Sequence, residues 1–470
     1  MKKAIIFGCG EIGTMAYHYF KTIYDIVAWA DNNERLWGTK KENIEIIPPG
    51  SICHVIVEKN AELFVSVTKS DDIVAQLKSY GIKDFYVWRE GFFFYHVDSG
   101  MQLRYTEQRK ININKDEKNI LFVMNNILGG IREYRLGKIL KHAGYKIYLA
   151  YMMPIMEQLD DGFIDIYDDM IQIFSLQDLL ELVNNNPFEF VHSSSEPEWG
   201  TGLILNSNKV VIHECHDLGS SNVYMSPEQM TLEYIANVFS RGVIYPSKKL
   251  RDDAIAKFGI SKCKTLIMEN TISESLIPKV KKEKISKLDG RIHAVYEGAI
   301  SSGDVNDKRF FENIWLKLAE AGIHVHFYTN HGEVYCKKLE SLHPNIHYEG
   351  NKSSKELAVE MSQYDVGLLL FNVNMRNRLY LEYASPNKLY EYINAGIPVA
   401  TAGIDTYKNF VETNNIGKEI DFCENLVEQF MEIKKISVPV NFLKDNELTL
   451  ESNENKIINY FINVKENCYE

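Results

Sequence analysis

Ser385-Pro386-Asn387-Lys388-Leu389-Tyr390-Glu391-Tyr392-Ile393-Asn394-Ala395-Gly396-Ile397-Pro398-Val399-Ala400 sets a helix against a strand, and that alternation decides the fold of the chain around it. Ser385 is a good N-cap, Pro386 suits the first helical position, and Gly396 ends the helix before Ile397 to Ala400 resumes as a short strand. First-turn N–H groups have no helical partner, so together with the positive end of the dipole they suit an anion such as a diphosphate. Asn387, Glu391 and Asn394 fall at i, i+4 and i+7 and make one polar stripe, with Leu389 and Ile393 on the buried side. A carboxylate on that stripe can accept hydrogen bonds from the vicinal hydroxyls of a ribose. Read alone, the segment is equally a capped helix with a solvated Glu391.

The alternation continues in both directions. Ile292 to Tyr296, His324 to Tyr328 and Val366 to Phe371 read as strands of the same α/β unit. Upstream, Ile120 to Met124, a helix from Arg132 to His142, the strand Tyr145 to Ala150 and a last strand Thr265 to Met268 make a second unit. Lys3 to Gly8, a helix Ile12 to Thr22, Asp25 to Ala30, Leu63 to Thr68, a helix Asp71 to Tyr80 and Asp84 to Val87 make a first. The fold class is α/β with open parallel sheets. The predicted divisions are 1–106, a polar linker at 107–118, 119–280, 281–445, and a C-terminal segment 446–470 that holds a last helix.

Across 470 residues, 45% are hydrophobic and 25% charged, which describes a globular protein of several domains. A net charge of -12 with no basic domain excludes nucleic acid as the main partner. The basic run Lys279-Val280-Lys281-Lys282-Glu283-Lys284 reads as a solvated loop, with at most peripheral membrane contact as its alternative. No apolar run approaches the roughly 20 residues that span a bilayer, and Met1-Lys2-Lys3-Ala4 leads directly into a strand, so a cytoplasmic location is expected. Seven scattered cysteines fit reduced thiols. His213-Glu214-Cys215-His216-Asp217 lies along a strand end without a second cluster, and no metal site is expected.

Four constellations carry chemistry. Gly8-Cys9-Gly10-Glu11-Ile12-Gly13 follows a strand and opens a helix, and Asp31 ends the next strand 18 residues after Gly13. This is a dinucleotide fingerprint in context: Gly8, Gly10, Glu11, Ile12 and Gly13 for the phosphate turn, Asp31 for a ribose hydroxyl. A Rossmann-shaped module that binds nothing has the same pattern. Gly129-Gly130-Ile131-Arg132 lets backbone approach a ligand, with Arg132 to pair with phosphate. His216 and Asp217 lie just beyond a strand, where a histidine can hydrogen-bond a sugar or orient an acceptor hydroxyl. After Tyr296-Glu297-Gly298, Lys308 and Arg309 supply cations for a leaving diphosphate.

From Asn119 onward the chain resembles retaining GT-B glycosyltransferases of the family 4 kind. The matching pieces are Gly129 to Glu133, His216-Asp217-Leu218, Val243 to Ser247, Met268-Glu269-Asn270, Tyr296-Glu297-Gly298, and Ser385 to Val399. The resemblance implies two Rossmann-like domains facing a cleft, with segment 446–470 crossing back to the first of them. It also implies that Glu391 holds the ribose, that the amides around Ser385, Asn387, Lys388 and Leu389 hold the diphosphate, and that Gly130 and Gly298 lie near the donor. His216, Glu382 and Lys308 are the implied catalytic residues. Two departures stand out: the family's partner of Glu391 lies eight residues earlier, where this chain has Tyr383 with Glu382 beside it, and Ala299 stands where an arginine is common.

The front domain resembles the small Rossmann-like modules of bacterial surface-polysaccharide enzymes, including the nucleotide-sugar-binding front halves of sugar acyltransferases, through Asp31-Asn32-Asn33 and Trp37-Gly38. Together the resemblances imply metal-independent, retaining transfer of a sugar from a nucleoside diphosphate sugar to a glycan or lipid-linked acceptor in polysaccharide biosynthesis. Transfer would require no cofactor, and the front module would take a nucleotide, a nucleotide sugar or NAD. Two other readings compete. One is a non-catalytic nucleotide-binding scaffold. The other is an NAD-dependent sugar-nucleotide oxidoreductase or epimerase, for which Tyr80 to Asp84 does not supply the required acid/base pair.

Overall fold

Apolar strands alternating with amphipathic helices fold into parallel sheets covered by helices, as the sequence predicts. The computed structural model describes residues 1–21, 23–89, 93–103, 111–125, 130–152, 164–196, 198–221, 225–330 and 332–466. The chain divides into two compact units, one of Met1–Glu214 with Thr231–Gly242, the other of Cys215–Met230 with Val243–Glu470.

The N-terminal unit carries a seven-stranded sheet in the spatial order Lys40–Lys41, Ile44–Ile47, Tyr24–Ala30, Lys2–Phe7, Ala61–Val65, Tyr86–Arg89, Phe93–His96. Its central strands are parallel, and both edges are antiparallel additions absent from the sequence reading. The Lys40–Lys41 hairpin turns through Glu42 and Asn43, both at positive φ (52° and 62°), a turn written without the usual glycine. The helix Ile52–Lys59 was likewise not predicted, and the strands expected at Leu63 to Thr68 and Asp84 to Val87 are displaced by about two residues. The strands of the second sheet in this unit run in the order Asp169–Gln172, Tyr145–Tyr151, Lys118–Met124, Phe190–Ser194, Val210–Glu214.

The front module is not tethered by a solvated linker alone. Phe93 belongs to the core cluster of the second sheet and meets Trp199 edge-on at 5.2 Å, while Tyr19 donates to Phe174 O at 3.0 Å. Ile111 and Ile113 of the predicted linker pack on the same cluster; its residues 107–110 lie outside the described residues.

The C-terminal unit holds a six-stranded, all-parallel sheet in the order Ile346–Tyr348, Ile323–Tyr328, Ile292–Glu297, Val366–Leu369, Val399–Thr401, Gly417–Glu419. Counted along the chain this is 3-2-1-4-5-6, the doubly wound order whose direction reverses between Ile292–Glu297 and Val366–Leu369. Val243 to Tyr245 pair in parallel with Thr265 to Ile267, and the helix Glu454–Glu466 lies across them. Tyr460 donates to Lys264 O and Val243 O at 2.8 and 3.2 Å, and Lys456 to Ile267 O at 3.0 Å. The basic run departs from its solvated reading: Lys282 pairs with Glu360 at 2.6 Å, and Lys284 turns inward to Tyr364 O, its pKa lowered by burial to about 8.

Parallel register stacks four imidazoles on one face of this sheet. His293 pairs with His324 and His326 with His347, and the rings lie 4.5 to 5.2 Å apart. His293 Nδ1 lies 2.9 Å from His326 Nε2, and His324 Nδ1 2.9 Å from His347 Nε2. Asp289, Glu349 and Arg291 take the outer nitrogens, and Asp365 accepts the His293 backbone N–H. Burial, then the neighbouring imidazoles, lower His324 from 6.5 to about 4, and His293 and His347 are lowered as well. A histidine whose folded pKa is depressed stabilises the fold above its unfolded pKa and opposes it once protons bind the unfolded chain preferentially. The C-terminal unit is therefore expected to lose stability as pH falls below about 6.5 toward about 4. Urea midpoints measured across that range check this, and His324→Gln should flatten the slope.

Candidate active site

The two strands at the reversal pair only at Ala294 with Val366 and Val295 with Gly367, then diverge. Tyr392 bridges the gap: its hydroxyl donates to Leu368 O at 3.2 Å and accepts the Glu297 N–H at 3.3 Å. Its ring occupies the space of a missing side chain, since a Cβ on Gly367 would lie 2.4 Å from the Tyr392 Cγ. This seats the helix Asn387–Ala395 against the carboxyl ends of both strands, where ligands of such sheets bind.

The helix starts one residue later than predicted. Pro386 is the N-cap, with φ -72° and ψ 128°, and no side chain caps it. Ser385 is thus displaced from capping; its hydroxyl accepts from the Asn270 N–H at 3.4 Å, and Asn270 Nδ2 donates to its carbonyl. Gly396 closes the helix at φ 73°, as expected. Asn387 and Glu391 are half-buried on the polar stripe, whereas Asn394 is buried and donates to Leu276 O at 3.0 Å. Leu389 belongs to the hydrophobic core, so only its backbone is available to a ligand.

Lys388 turns inward. Its ammonium sits 4.3 Å from the Tyr296 ring centroid and 5.1 Å from that of Phe371, and donates to Tyr296 Oη at 3.1 Å. Burial lowers its pKa to about 8, with Glu297 and Glu391 opposing and Arg309 adding to the fall. Gly298 adopts φ +117°, a conformation side chains resist, and its N–H donates to Tyr328 O at 3.1 Å. Glu297 is the residue before that turn. Desolvation first, then the charge of Glu391, raise the Glu297 carboxyl well above the ordinary range, with Lys388 opposing.

A second group lies beside the loop of Lys308 and Arg309. The Lys308 ammonium stands 3.4 Å from the Tyr380 ring centroid, and Tyr380 Oη donates to Asp217 Oδ2 at 2.7 Å. Burial lowers Lys308 to about 8 against the pull of Asp217, and burial raises Asp217, with Tyr380, Lys308, His216 and Arg309 opposing. The structure therefore brings Asp217, Gly298, Lys308, Arg309, Lys388 and Glu391 into one electrostatic neighbourhood in the C-terminal unit, with half-buried His216 next to Asp217.

Three of the expected site residues are engaged by the protein itself. Glu382 is taken up as a helix cap: its two carboxylate oxygens accept from the N–H groups of Asp405 and Thr406 at 2.9 and 3.0 Å and from Thr406 Oγ1 at 2.5 Å. Those bonds lower its pKa against its burial, and no bulge moves it toward Glu391. Arg132 is buried in the N-terminal unit, where its Nε–H donates to Glu214 at 2.6 Å and His192 Nε2 lies 2.9 Å from the other Glu214 oxygen. Gly130 is the N-cap of the helix Ile131–His142 there, and Gly129 lies outside the described residues.

The third of these is Asp31. Its carboxylate accepts from the N–H groups of Cys9 and Asn33, each at 2.8 Å, and so ties down the glycine turn. Gly8 stands at φ +105°, and a Cβ on Gly13 would meet Gly8 O at 1.8 Å, whereas one on Gly10 would meet nothing within 4 Å. Glu11 is exposed and Ile12 half-buried in the first turn of the following helix. Lys41, from the unpredicted hairpin, donates to Cys9 O and Thr14 Oγ1 at 2.6 Å each.

Glu297, Tyr380, Tyr392 and Lys41 were missed as contributors. Glu297 had a signal, a carboxylate ending an apolar strand directly before a glycine; the others depend on which loop folds beside which. Among the described residues no group of three His, Cys, Asp or Glu side chains is placed to hold a metal ion, and no helix is long and apolar enough to cross a membrane.

Residues 303–439 match the family model described as the C-terminal domain of glucosyltransferase 3-like proteins. No curated protein matches the sequence. Among solved structures, the chain resembles Anabaena HepE in complex with UDP-glucose, at 15% identity and a TM-score of 0.54 over 73% of this chain and 98% of that one. It also resembles a glycosyltransferase from Rickettsia africae, at 12% identity and a TM-score of 0.52 over 75% of this chain and 100% of that one. These likenesses are of fold, and the fold is that of GT-B glycosyltransferases, with a third Rossmann-like sheet at the N-terminus.

Because Glu382 caps the helix Asp405–Thr413, Glu382→Ala is expected to lower stability by about 1 to 2 kcal/mol, read from the denaturant midpoint. A Glu382→Gln variant that melts normally yet loses sugar transfer would instead return this residue to the catalytic set.

Proposed function

We propose that the chain is a glycosyltransferase that moves a sugar from a nucleoside diphosphate sugar, UDP-linked as in the HepE complex, to a hydroxyl of a glycan or lipid-linked acceptor. The observation that carries this reading is Glu391 beside buried Lys388 at the strand reversal of the C-terminal sheet. Glu391 accepts the ribose hydroxyls. Lys388, Lys308 and Arg309, with the first-turn amides from Asn387 to Leu389, neutralise the diphosphate as it leaves. His216 stands beside the transferred sugar, and Asp217 with Tyr380 holds Lys308 in place.

Chemistry of this kind needs charge stabilisation at the leaving group more than a strong nucleophile, since the acceptor oxygen attacks as the glycosidic bond weakens. Two lysines placed against aromatic faces, with Arg309 beside them, supply it without a metal, and we assign retention of anomeric configuration on the resemblance to family 4 enzymes. The front module, with its strained Gly8 and its clamped turn, is proposed to take a nucleotide or nucleotide sugar in addition to the donor site. Polysaccharide biosynthesis on the inner side of the membrane, with peripheral contact at most, is the setting this reading implies.

Incubation of the full chain with UDP-, GDP-, ADP- and CDP-sugars, scored for transfer and for donor hydrolysis, tests the proposal. Glu391→Ala is expected to weaken nucleoside diphosphate binding roughly tenfold or more, the loss of a charge-assisted hydrogen-bond pair. Binding without turnover on any acceptor would leave the non-catalytic reading. Lys308 and Lys388 are charged below their pKa values of about 8, so diphosphate affinity should fall as pH rises through about 8. Titration calorimetry on either side of that value measures it, and Lys308→Met should reduce the pH dependence.

A further inference from the structure

The strands Val366–Leu369, Val399–Thr401 and Gly417–Glu419 end side by side, and the segments that leave them wall an open cavity of about 560 Å³. That volume is in the range of ligand pockets, and the carboxyl ends of strands in such sheets are where ligands bind. The donor-site reading makes no use of this cavity, yet the two adjoin through Phe371 and Asn372, which line it. The Lys388 ammonium lies 5.1 Å from the Phe371 ring centroid, and the Asn372 N–H donates to Lys308 O at 2.9 Å.

The lining combines the rings of Phe371 and Phe422 with polar groups that the fold holds in place. Gln429 grips the Asp421 backbone twice, its Oε1 accepting the N–H at 2.8 Å and its Nε2 donating to the carbonyl at 2.9 Å. Asp421 Oδ1 accepts the Cys423 N–H at 2.8 Å, and no described residue donates to Oδ2. Asn372 Nδ2 donates to Val305 O and Asp307 O at 2.8 and 3.0 Å, and no described residue donates to its Oδ1. Glu419 is already engaged by the Gly403 N–H at 3.2 Å and by Lys408 at 2.6 Å. No lysine, arginine or histidine lines the cavity; Lys317 approaches the Phe422 ring at 5.9 Å from its centroid.

A lining with acceptors in excess of donors suits a ligand that brings donors of its own. Carboxylates without a lining cation disfavour phosphate, and a hydrocarbon chain would cover the Asp421 carboxylate without pairing it. A neutral polyhydroxylated ring meets both conditions, its hydroxyls donating and its C–H face lying on an aromatic ring. We infer that this cavity is a subsite for an uncharged sugar of the acceptor, held by Asp421 and Asn372 through its hydroxyls and by Phe422 through its face, beside the place where the diphosphate leaves. The inference rests on the donor-site reading above and adds the chemistry of the acceptor: what is recognised here is a neutral saccharide unit, not a phosphate or a lipid chain.

The test uses the full chain with the donor site filled by the tightest binder among UDP, GDP, ADP and CDP. Methyl glycosides of glucose, galactose and N-acetylglucosamine are titrated singly by saturation-transfer NMR, and at least one should bind. The 6-phosphate of the tightest-bound sugar should bind about fivefold more weakly or worse, since it brings an anion to a lining without cations. Asp421→Asn, which keeps the oxygen bonded to Cys423, and Phe422→Ala should each weaken saccharide binding roughly tenfold, with nucleoside diphosphate affinity kept within about twofold. Binding of no neutral glycoside, equal binding of its phosphate, or binding that neither variant alters would overturn the inference, while Glu391-dependent nucleotide binding kept the donor reading. Failure of every nucleoside diphosphate to bind would overturn the donor reading and the acceptor assignment with it.

Discussion

Tyr392 holds the site together. At the carboxyl ends of Ile292–Glu297 and Val366–Leu369 the strands have separated too far for ladder hydrogen bonds, and the Tyr392 hydroxyl takes one group from each, the Glu297 N–H and the Leu368 carbonyl. The ring reaches that position only because Gly367 has no side chain to occupy it. Lys388 lies one helical turn before Tyr392 and Glu391 immediately before it, so the same wedge that closes the sheet sets the depth of the ammonium and the angle of the carboxylate. A buried polar bridge of this kind is worth more as geometry than as stability, because each of its bonds replaces one that water would make.

The three Rossmann-like units share an arrangement in which the first strand of each lies at the reversal of strand order, and in each a glycine follows or nearly follows that strand. Physical use of the position differs. In the front module Gly8 and Gly13 pack backbone on backbone, and Asp31 with Lys41 ties the turn down from outside. In the second unit Gly130 caps a helix whose Arg132 is drawn into a buried cluster with Glu214 and His192. In the third, Gly298 at positive φ lies against Lys388, whose Nζ a Cβ there would meet at 3.5 Å. A shared topology thus places a glycine turn at three comparable points, and the neighbouring side chains determine how each is held.

The sequence carried the strands and helices well because their periodicities are strong over many residues, and Glu391, Lys388, Lys308 and Gly298 were legible as a set from their positions at strand ends and helix starts. Local pattern could not reveal which polar side chains the fold would claim for itself. Glu382, Arg132 and Asp31 each sit at spacings that suit a ligand, yet each is closer to unsatisfied protein groups: the N-terminus of Asp405–Thr413, the buried Glu214, the Cys9 amide. A helix N-terminus or a buried carboxylate is a high-value partner that is fixed only when distant segments meet. Ser385 shows the same limit over a shorter range, since ψ of Pro386 moved the helix start by one residue and gave its hydroxyl to Asn270.

Charge balance at the site explains why both lysines sit so near the point of losing their protons. Lys388 and Lys308 are each laid against aromatic rings, which exclude water while offering only the weak attraction of a π face, and each has its carboxylates at a remove: Glu297 and Glu391 for one, Asp217 for the other. The result is a site whose cations are under-compensated by protein anions, which is the condition under which a bound anion would gain most. By linkage, an anion that binds there must raise the pKa of both lysines, so binding near neutral pH draws protons into the site rather than releasing them. Aromatic packing that looks like ordinary core in Tyr296, Phe371 and Tyr380 is thereby the source of the electrostatic readiness of this part of the molecule.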